Sequence, residues 1–237
     1  MNPRHNALLE HLPATEYEQF LPHLELKSLV KGDVLFKTGE LPRHVYFPVG
    51  AVISIMCEFE DGYSVEFNMV GTTSMVGLTN VGGPSFYRAE VRGSGFAYCV
   101  AFDKFQHIRK SCPIFVGHQS QAQLNSLRYI SLTGACGKHH SVDQQLIRWI
   151  LINLDRSVTP QIFVTHSELS RLLGFRREAI TLALGKLAEI HAITLARGEL
   201  VVLDRLKLEE RSCECYWRIT EKSRPQFTSL RALSSQP

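Results

Sequence analysis

The sequence predicts an α+β chain: a β-rich first half, one long helix, and a winged helix-turn-helix at the C-terminal end. Three observations predict it. From Leu24 onward, short β-branched and aromatic runs alternate with closely spaced turn signals, which indicates a sandwich or barrel. Pro113 opens a helical stretch that runs to about Cys136 with a narrow apolar stripe. Between Val164 and Asp204, the stretch VTHSELSRLLGFRREAITLALGKLAEIHAITLARGELVVLD reads as two short capped helices followed by a hairpin.

Taken in order, Leu8-Leu9, Leu12, Tyr17, Phe20, Leu21 and Leu24 suggest one or two short helices before the strands begin. Turns are expected at Gly32-Asp33, Gly39-Glu40, Pro48-Val49-Gly50 and Glu60-Asp61-Gly62, with further punctuation at Gly71, Gly77, Gly82-Gly83, Gly93 and Gly95. Asp103 is placed to cap a short helix through Arg109. In the long helix Leu124, Leu127 and Ile130 lie on one side, a seam suited to a partner helix, and Gly134 and Gly137 are expected to end or bend it. Ser141 and Gln144 form a capping box for a helix from Val142 to Leu154, on which Leu146, Trp149, Ile150 and Asn153 repeat at helical spacing. Residues 156–161 read as a linker.

In the organising stretch, Thr165 and Glu168 form another capping box, so a helix starts at His166 and closes at Gly174, a residue that adopts the left-handed conformation without steric cost. Leu169 and Leu173 give it an apolar stripe, Ser170 marks the close crossing, and Phe175 is the wedge. A second helix opens at about Arg176, with Ile180, Ala183, Leu184 and Leu187 inward. Glu178, Thr181, Leu182 and Gly185 are free of core duty, with Arg176 and Arg177 at the leading end. Residues 192–203 turn back at Gly198 as a wing able to rest on a phosphate backbone. Asp204 caps a last helix through Tyr216 and Trp217, and the tail after Arg224 reads as loosely ordered.

The 237 residues are 44% hydrophobic and 21% charged, ordinary for a globular chain of one or two domains. Nothing approaches the length of a membrane-spanning apolar run, and MNPRHNALLEHLP lacks the layout of a signal peptide. Six cysteines without a disulfide-framework spacing point to a reduced, cytoplasmic compartment. Residues 1–112 carry 10 Lys/Arg against 12 Asp/Glu, whereas residues 165–237 carry 12 against 9. An acidic front with a basic rear suits a sensor joined to a nucleic-acid binder.

KGDVLFKTGE, HVYFPVGAVIS, EDGYSVEFNMVGTTSMVG and LGFRREAITLALGKL, set on this order of elements, resemble the Crp/Fnr family of bacterial transcription regulators from about Leu24 to Tyr216. HVYFP, GKHHSVDQQLIRW and the closing CECY resemble one branch of it. The resemblance implies a β-roll like the double-stranded β-helix of cyclic-nucleotide-binding domains over 1–112, a dimerisation helix over 113–140 and a winged-helix DNA-binding domain over 141–237. It implies a homodimer on a near-palindromic operator, with double-stranded DNA and RNA polymerase as partners and no membrane. Arg177 and Glu178 match the pair that reads base edges in many members, within a reading surface of Arg176, Arg177, Glu178, Thr181 and Leu182. Thr165 and Ser167 match phosphate-holding residues, and Arg197 on the wing is a third phosphate contact. Leu182 stands where cyclic-AMP-type members place a second base-reading arginine, and either touches a thymine methyl or touches nothing.

Nucleotide-binding members use a glutamate for the ribose and an Arg-Ser pair for the cyclic phosphate. Here these positions hold Met75 and Ser85-Phe86, with Arg88 out of register. A cyclic nucleotide is therefore not expected by the family mode; the β-roll binds another small molecule, or nothing. No cofactor is expected. Cys213-x-Cys215 stands too isolated for zinc, and adjacent His139-His140 side chains diverge, so a packed role and a solvated hinge outweigh a metal or pH-sensing site. No nucleophile elbow, P-loop or HExxH pattern is present, so no catalytic residue is assigned. Two functions remain open: a dimeric DNA-binding regulator, or a ligand-binding signalling module whose winged helix contacts protein.

Overall fold

The computed structural model describes residues 1–78, 83–157 and 159–220. A 3-10 turn at Pro3–His5 and two short helices, α1 (Ala7–Glu10) and α2 (Ala14–Phe20), precede the sheets. Seven strands then follow among the described residues: β1 (Glu25–Leu29), β2 (Val34–Phe36), β3 (His44–Pro48), β4 (Val52–Glu58), β5 (Ser64–Val70), β6 (Arg88–Gly93) and β7 (Gly95–Ala101). They form two antiparallel sheets, ordered β1-β7-β3 and β2-β6-β4-β5. Alternation along the strands divides their duties. Tyr46, Cys99, Ile53, Ile55, Ala89 and Val91 fill the core between the sheets. Val45, Phe47, Tyr98 and Val100 point the other way, into a second core built on Phe20, Phe105 and Phe115. Gly32, Gly39 and Gly62 all take positive φ at expected turns. At Gly77 the need is absolute: φ is 105° and a Cβ would meet the His44 carbonyl oxygen at 2.2 Å. Gly82, Val158 and the tail beyond Arg224 lie outside the described residues.

Helix α3 (Phe102–Ile108) follows β7. Ala101, not Asp103, holds its N-cap position; Asp103 falls two residues too late to cap and sits in the first turn. The long helix α4 spans Pro113–His139 and passes through both Gly134 and Gly137, because a helical glycine costs only about 1 kcal/mol relative to alanine. Its start is anchored by buried Glu16 of α2, whose two carboxylate oxygens accept the Ile114 and Phe115 amides at 2.9 and 2.8 Å. A negative charge on unsatisfied N-terminal amides is favourable twice over. The inward stripe of α4 is Phe115, Ala122, Tyr129 and Cys136, at heptad spacing.

Helix α5 (Val142–Arg156) begins at the expected Ser141–Gln144 capping box. A short strand, β8 (Gln161–Ile162), begins at the last residue of the expected linker. Helices α6 (His166–Leu173) and α7 (Arg177–Glu189) follow, then β9 (Ile193–Ala196) and β10 (Glu199–Val202). β10 pairs on one side with β9 and on the other with β8, so the wing has three strands. The expected single last helix is two, α8 (Arg205–Arg211) and α9 (Glu214–Thr220). Asp204 does cap α8, but Ser212 turns extended at ψ 151° and its hydroxyl donates to the Glu209 carbonyl, which closes that helix. Trp149, Leu169, Leu172, Ile180, Leu184, Leu187 and Tyr216 share one core that also takes in Val52, Met56 and Met69 of the sheets. No described helix is long and apolar enough to cross a membrane.

Candidate nucleic-acid interface

The turn between α6 and α7 is built as its residues require. Thr165 Oγ1 accepts the Glu168 amide at 3.1 Å, and Glu168 Oε2 accepts the Thr165 amide at 2.8 Å. Gly174 closes α6 at φ 74°, and its amide reaches the Ser170 carbonyl. Ser170 Oγ donates to the Phe175 carbonyl, which pins the crossing. Leu172 is fully buried and Leu173 only partly, so the stripe of α6 is turned one residue from the expected one. On α7, Ile180, Ala183, Leu184 and Leu187 are buried.

The opposite side of α7 faces solvent. Arg176, Arg177, Glu178 and Thr181 are exposed, and so is Leu182, at 67%. Thr181 Oγ1 lies 3.0 Å from His166 Nδ1, a link from the reading helix to the start of α6. Thr165, Ser167 and Arg197 are exposed as well. Together with Arg177 they line one cleft of about 260 Å³ between the α6 N-terminus, α7 and the wing. Residues expected to hold phosphate thus share a cleft with the leading arginine of α7, while Glu178, Thr181 and Leu182 lie along the open face.

Glu168 does more than cap. It reaches Lys31 Nζ and Arg92 Nη1 of the β-roll, each at 3.1 Å. Burial alone would raise its pKa, but the Thr165 amide and the Lys31 ammonium outweigh that and hold it below the usual glutamate value.

On α4, Leu124 and Leu127 are 58% and 59% exposed, without an intrachain cover. Ile130 departs from the expected seam: it is half-buried and turns toward a cavity of about 180 Å³ between α4 and the β-roll. Met75, Tyr87, Phe67 and Phe86 line the same cavity, and none of its described lining residues is charged. Ser85 is buried and donates to the Tyr87 carbonyl, while Phe86 is 72% exposed. Arg88 offers the cavity nothing; it is tied to Glu58 at 3.2 Å and to Glu90 at 2.8 Å.

The isolation of Cys213-x-Cys215 is corrected by folding. Cys136 Sγ lies 3.7 Å from Cys213 Sγ although 77 residues separate them, and Cys215 Sγ lies 3.7 Å from His140 Nδ1. Cys213 and Cys215 are therefore not isolated: Cys136 and His140 bring two further candidate ligand side chains to them. The Cys136-x-x-x-His140 spacing at the end of α4 was the overlooked signal.

Residues 144–211 match the Crp-like helix-turn-helix domain family. No curated protein matches the sequence. Among solved structures the chain is similar to a crp/fnr-family regulator from Eubacterium rectale, at 14% identity over 87% of this chain and 98% of that one, with a TM-score of 0.67. A CRP-family transcriptional regulator from Thermus thermophilus shares 16% identity over 78% and 96% of the two chains, with a TM-score of 0.66. FixK2 from Bradyrhizobium japonicum shares 15% over 80% and 98%, with a TM-score of 0.65. The chain thus carries a Crp-like helix-turn-helix domain over residues 144–211 and shares, over most of its length, the fold of solved Crp/Fnr-family regulators.

Proposed function

We propose that the chain is a DNA-binding transcription regulator that acts as a homodimer on a near-palindromic operator. The observation that carries this reading is the shared cleft of Thr165, Ser167, Arg177 and Arg197 beside an α7 face left free of packing. In the proposal Arg176, Arg177, Glu178, Thr181 and Leu182 read base edges, since arginine suits guanine O6 and N7 and glutamate accepts from cytosine N4. Thr165, Ser167 and Arg197 hold phosphates. Exposed Leu124 and Leu127 on α4 support a partner helix there, with Ile130 at most at its edge. The uncharged cavity supports a β-roll that scaffolds or takes an uncharged small molecule, in place of a cyclic nucleotide held in the family manner. RNA polymerase contact and a cytoplasmic setting complete the reading.

The test is a mobility shift on operator selected from random oligonucleotides, read at several salt concentrations, with the shifted species containing two chains. Arg177→Ala should cost about 1–3 kcal/mol on the selected site and less on random duplex, so specificity falls. Arg197→Ala should weaken both alike and shallow the salt slope by about one unit. A selected sequence unchanged by Arg177→Ala would mean that α7 does not read bases. No shift at low salt would favour a winged helix that contacts protein.

A further inference from the structure

Three buried cysteines, Cys136, Cys213 and Cys215, pack as a cluster of their own at the C-terminal end of α4. The Crp/Fnr reading leaves them without a task. With His140 they offer four ligand atoms, all within 4.8 Å of one another. We propose that Cys136, His140, Cys213 and Cys215 hold one Zn(II) ion as a closed Cys3His site.

The spacing supports a metal over other uses of the thiols. With Zn–S near 2.3 Å and Zn–N near 2.0–2.1 Å, a tetrahedron has S···S edges of about 3.8 Å and S···N edges of about 3.5 Å. The Cys136–Cys213 and Cys215–His140 separations are both 3.7 Å. A disulfide would require its sulfurs near 2.05 Å. The outer contacts fit as well. His140 Nε2 lies 3.2 Å from Glu214 Oε2, so the nitrogen that carries the proton donates to a carboxylate and Nδ1 is left to ligate. Three thiolates and a divalent ion leave a net charge of minus one. The buried Arg148 guanidinium, whose Nε lacks a hydrogen-bond partner, acts electrostatically on Cys136 and can offset that charge.

Local sequence explains how the ligands converge. Cys136 and His140 are four apart, one turn of helix, with His140 as the C-cap of α4. Cys213 and Cys215 flank Glu214 at the break between α8 and α9. A thiolate-rich tetrahedral set with one imidazole selects zinc over harder cations, and four protein ligands leave no open position for catalysis. The ion would tie α9 to the last turn of α4, across the His140-Ser141 junction at which the long helix hands over to the winged helix.

The test uses the full chain, purified under reducing conditions without added metal. Mass spectrometry of metals should find one zinc per chain, removable by a strong chelator. Cobalt(II) added to the stripped protein should give thiolate-to-metal charge-transfer bands and the intense d–d absorption of a tetrahedral site. Cys215→Ser and His140→Ala should lose the stoichiometric zinc, whereas Cys57→Ser should keep it. Glu214→Gln should weaken zinc by about tenfold in competition with a chromophoric chelator, the lower end of the outer-contact range because the carboxylate is half exposed. Wild-type protein that is folded and reduced yet takes up neither zinc nor cobalt at equimolar concentration would overturn the proposal. So would a Cys136–Cys213 disulfide that persists in the chain freshly purified under reducing conditions. The cobalt titration needs no variant, so a substitution that unfolds the chain cannot blur the outcome.

Discussion

The winged helix meets the β-roll along two seams of opposite chemistry. Where α6 approaches β6 and the turn after β1 the contact is ionic: Lys31 and Arg92 both meet Glu168, Arg92 also meets Glu90 at 3.2 Å, and Arg171 comes within 3.9 Å of Glu90. Where α5 approaches β4 and β5 the contact is buried and mostly apolar, with Trp149, Ile150, Val52, Met56 and Met69 in one core. Its polar content is concentrated on Glu66, which accepts from the Trp149 indole at 2.9 Å and from the Ser54 hydroxyl. Of the ionic contacts, the part-exposed pairs made by Lys31 and Arg171 contribute little each and are screened by salt, whereas a buried seam loses both transfer free energy and packing when a large side chain goes. The difference predicts that the ionic side opens more readily than the buried side, which the substitutions below test.

The largest expected effect lies in the buried seam. Trp149→Ala should lower stability by about 3–5 kcal/mol, because it empties a large fully packed site and leaves Glu66 without its indole donor. Urea unfolding checks this. A loss no greater than that of a surface substitution would mean that α5 is not what holds the two parts together.

Glu66 gives the same seam a pH dependence. Burial raises its pKa above the ordinary carboxylate value, against the opposing bonds from Ser54 and Trp149 and the charges of Arg92 and Arg156. A raised value means that the folded chain holds this proton more tightly than the unfolded chain does. The stability it contributes is therefore complete below the ordinary glutamate range and lost as pH climbs through the folded value. Glu66→Gln keeps an acceptor for Trp149 and removes the titration, while Arg92 retains Glu90 and Glu168. The variant should gain stability relative to wild type as pH rises from acid to neutral, and its unfolding midpoint should vary less across that range. An unchanged wild-type slope in the variant would place the titration elsewhere.

The two seams also differ in how far sequence reveals them. The helix-turn-helix was legible because its determinants are local: the Thr165 cap, Gly174, and the spacing of Ile180, Ala183, Leu184 and Leu187 lie within one short stretch. Glu168 shows where legibility stops. Its capping role follows from a partner three residues away, but its contacts with Lys31 and Arg92 join positions 137 and 76 residues apart. The cysteine cluster is hidden for the same reason, since chain closure and not spacing brings Cys136 to Cys213. On α4 the period itself was present. Phe115, Ala122, Tyr129 and Cys136 keep a heptad, but Ala122 and Cys136 are small, and bulkier Leu124 and Leu127 dominate the apolar pattern while facing outward.

The smallest expected effect is the sharpest test of the ionic seam. Lys31 donates to the Phe163 carbonyl at 2.5 Å and pairs with Glu168, with both charged side chains about a quarter exposed. Lys31→Ala should therefore change global stability by only about 0.2–1 kcal/mol. Arg92, itself almost fully buried, keeps hold of Glu168 in the variant. The effect should be local, a loss of amide protection over α6 with α5 unchanged. In wild-type protein added salt should erode that same protection, so the two chains converge as ionic strength rises. If hydrogen exchange instead quickens over α5 and α6 together, in the variant or with salt, the seams open as one unit. The ionic contact would then be a part of the buried one and no separate joint.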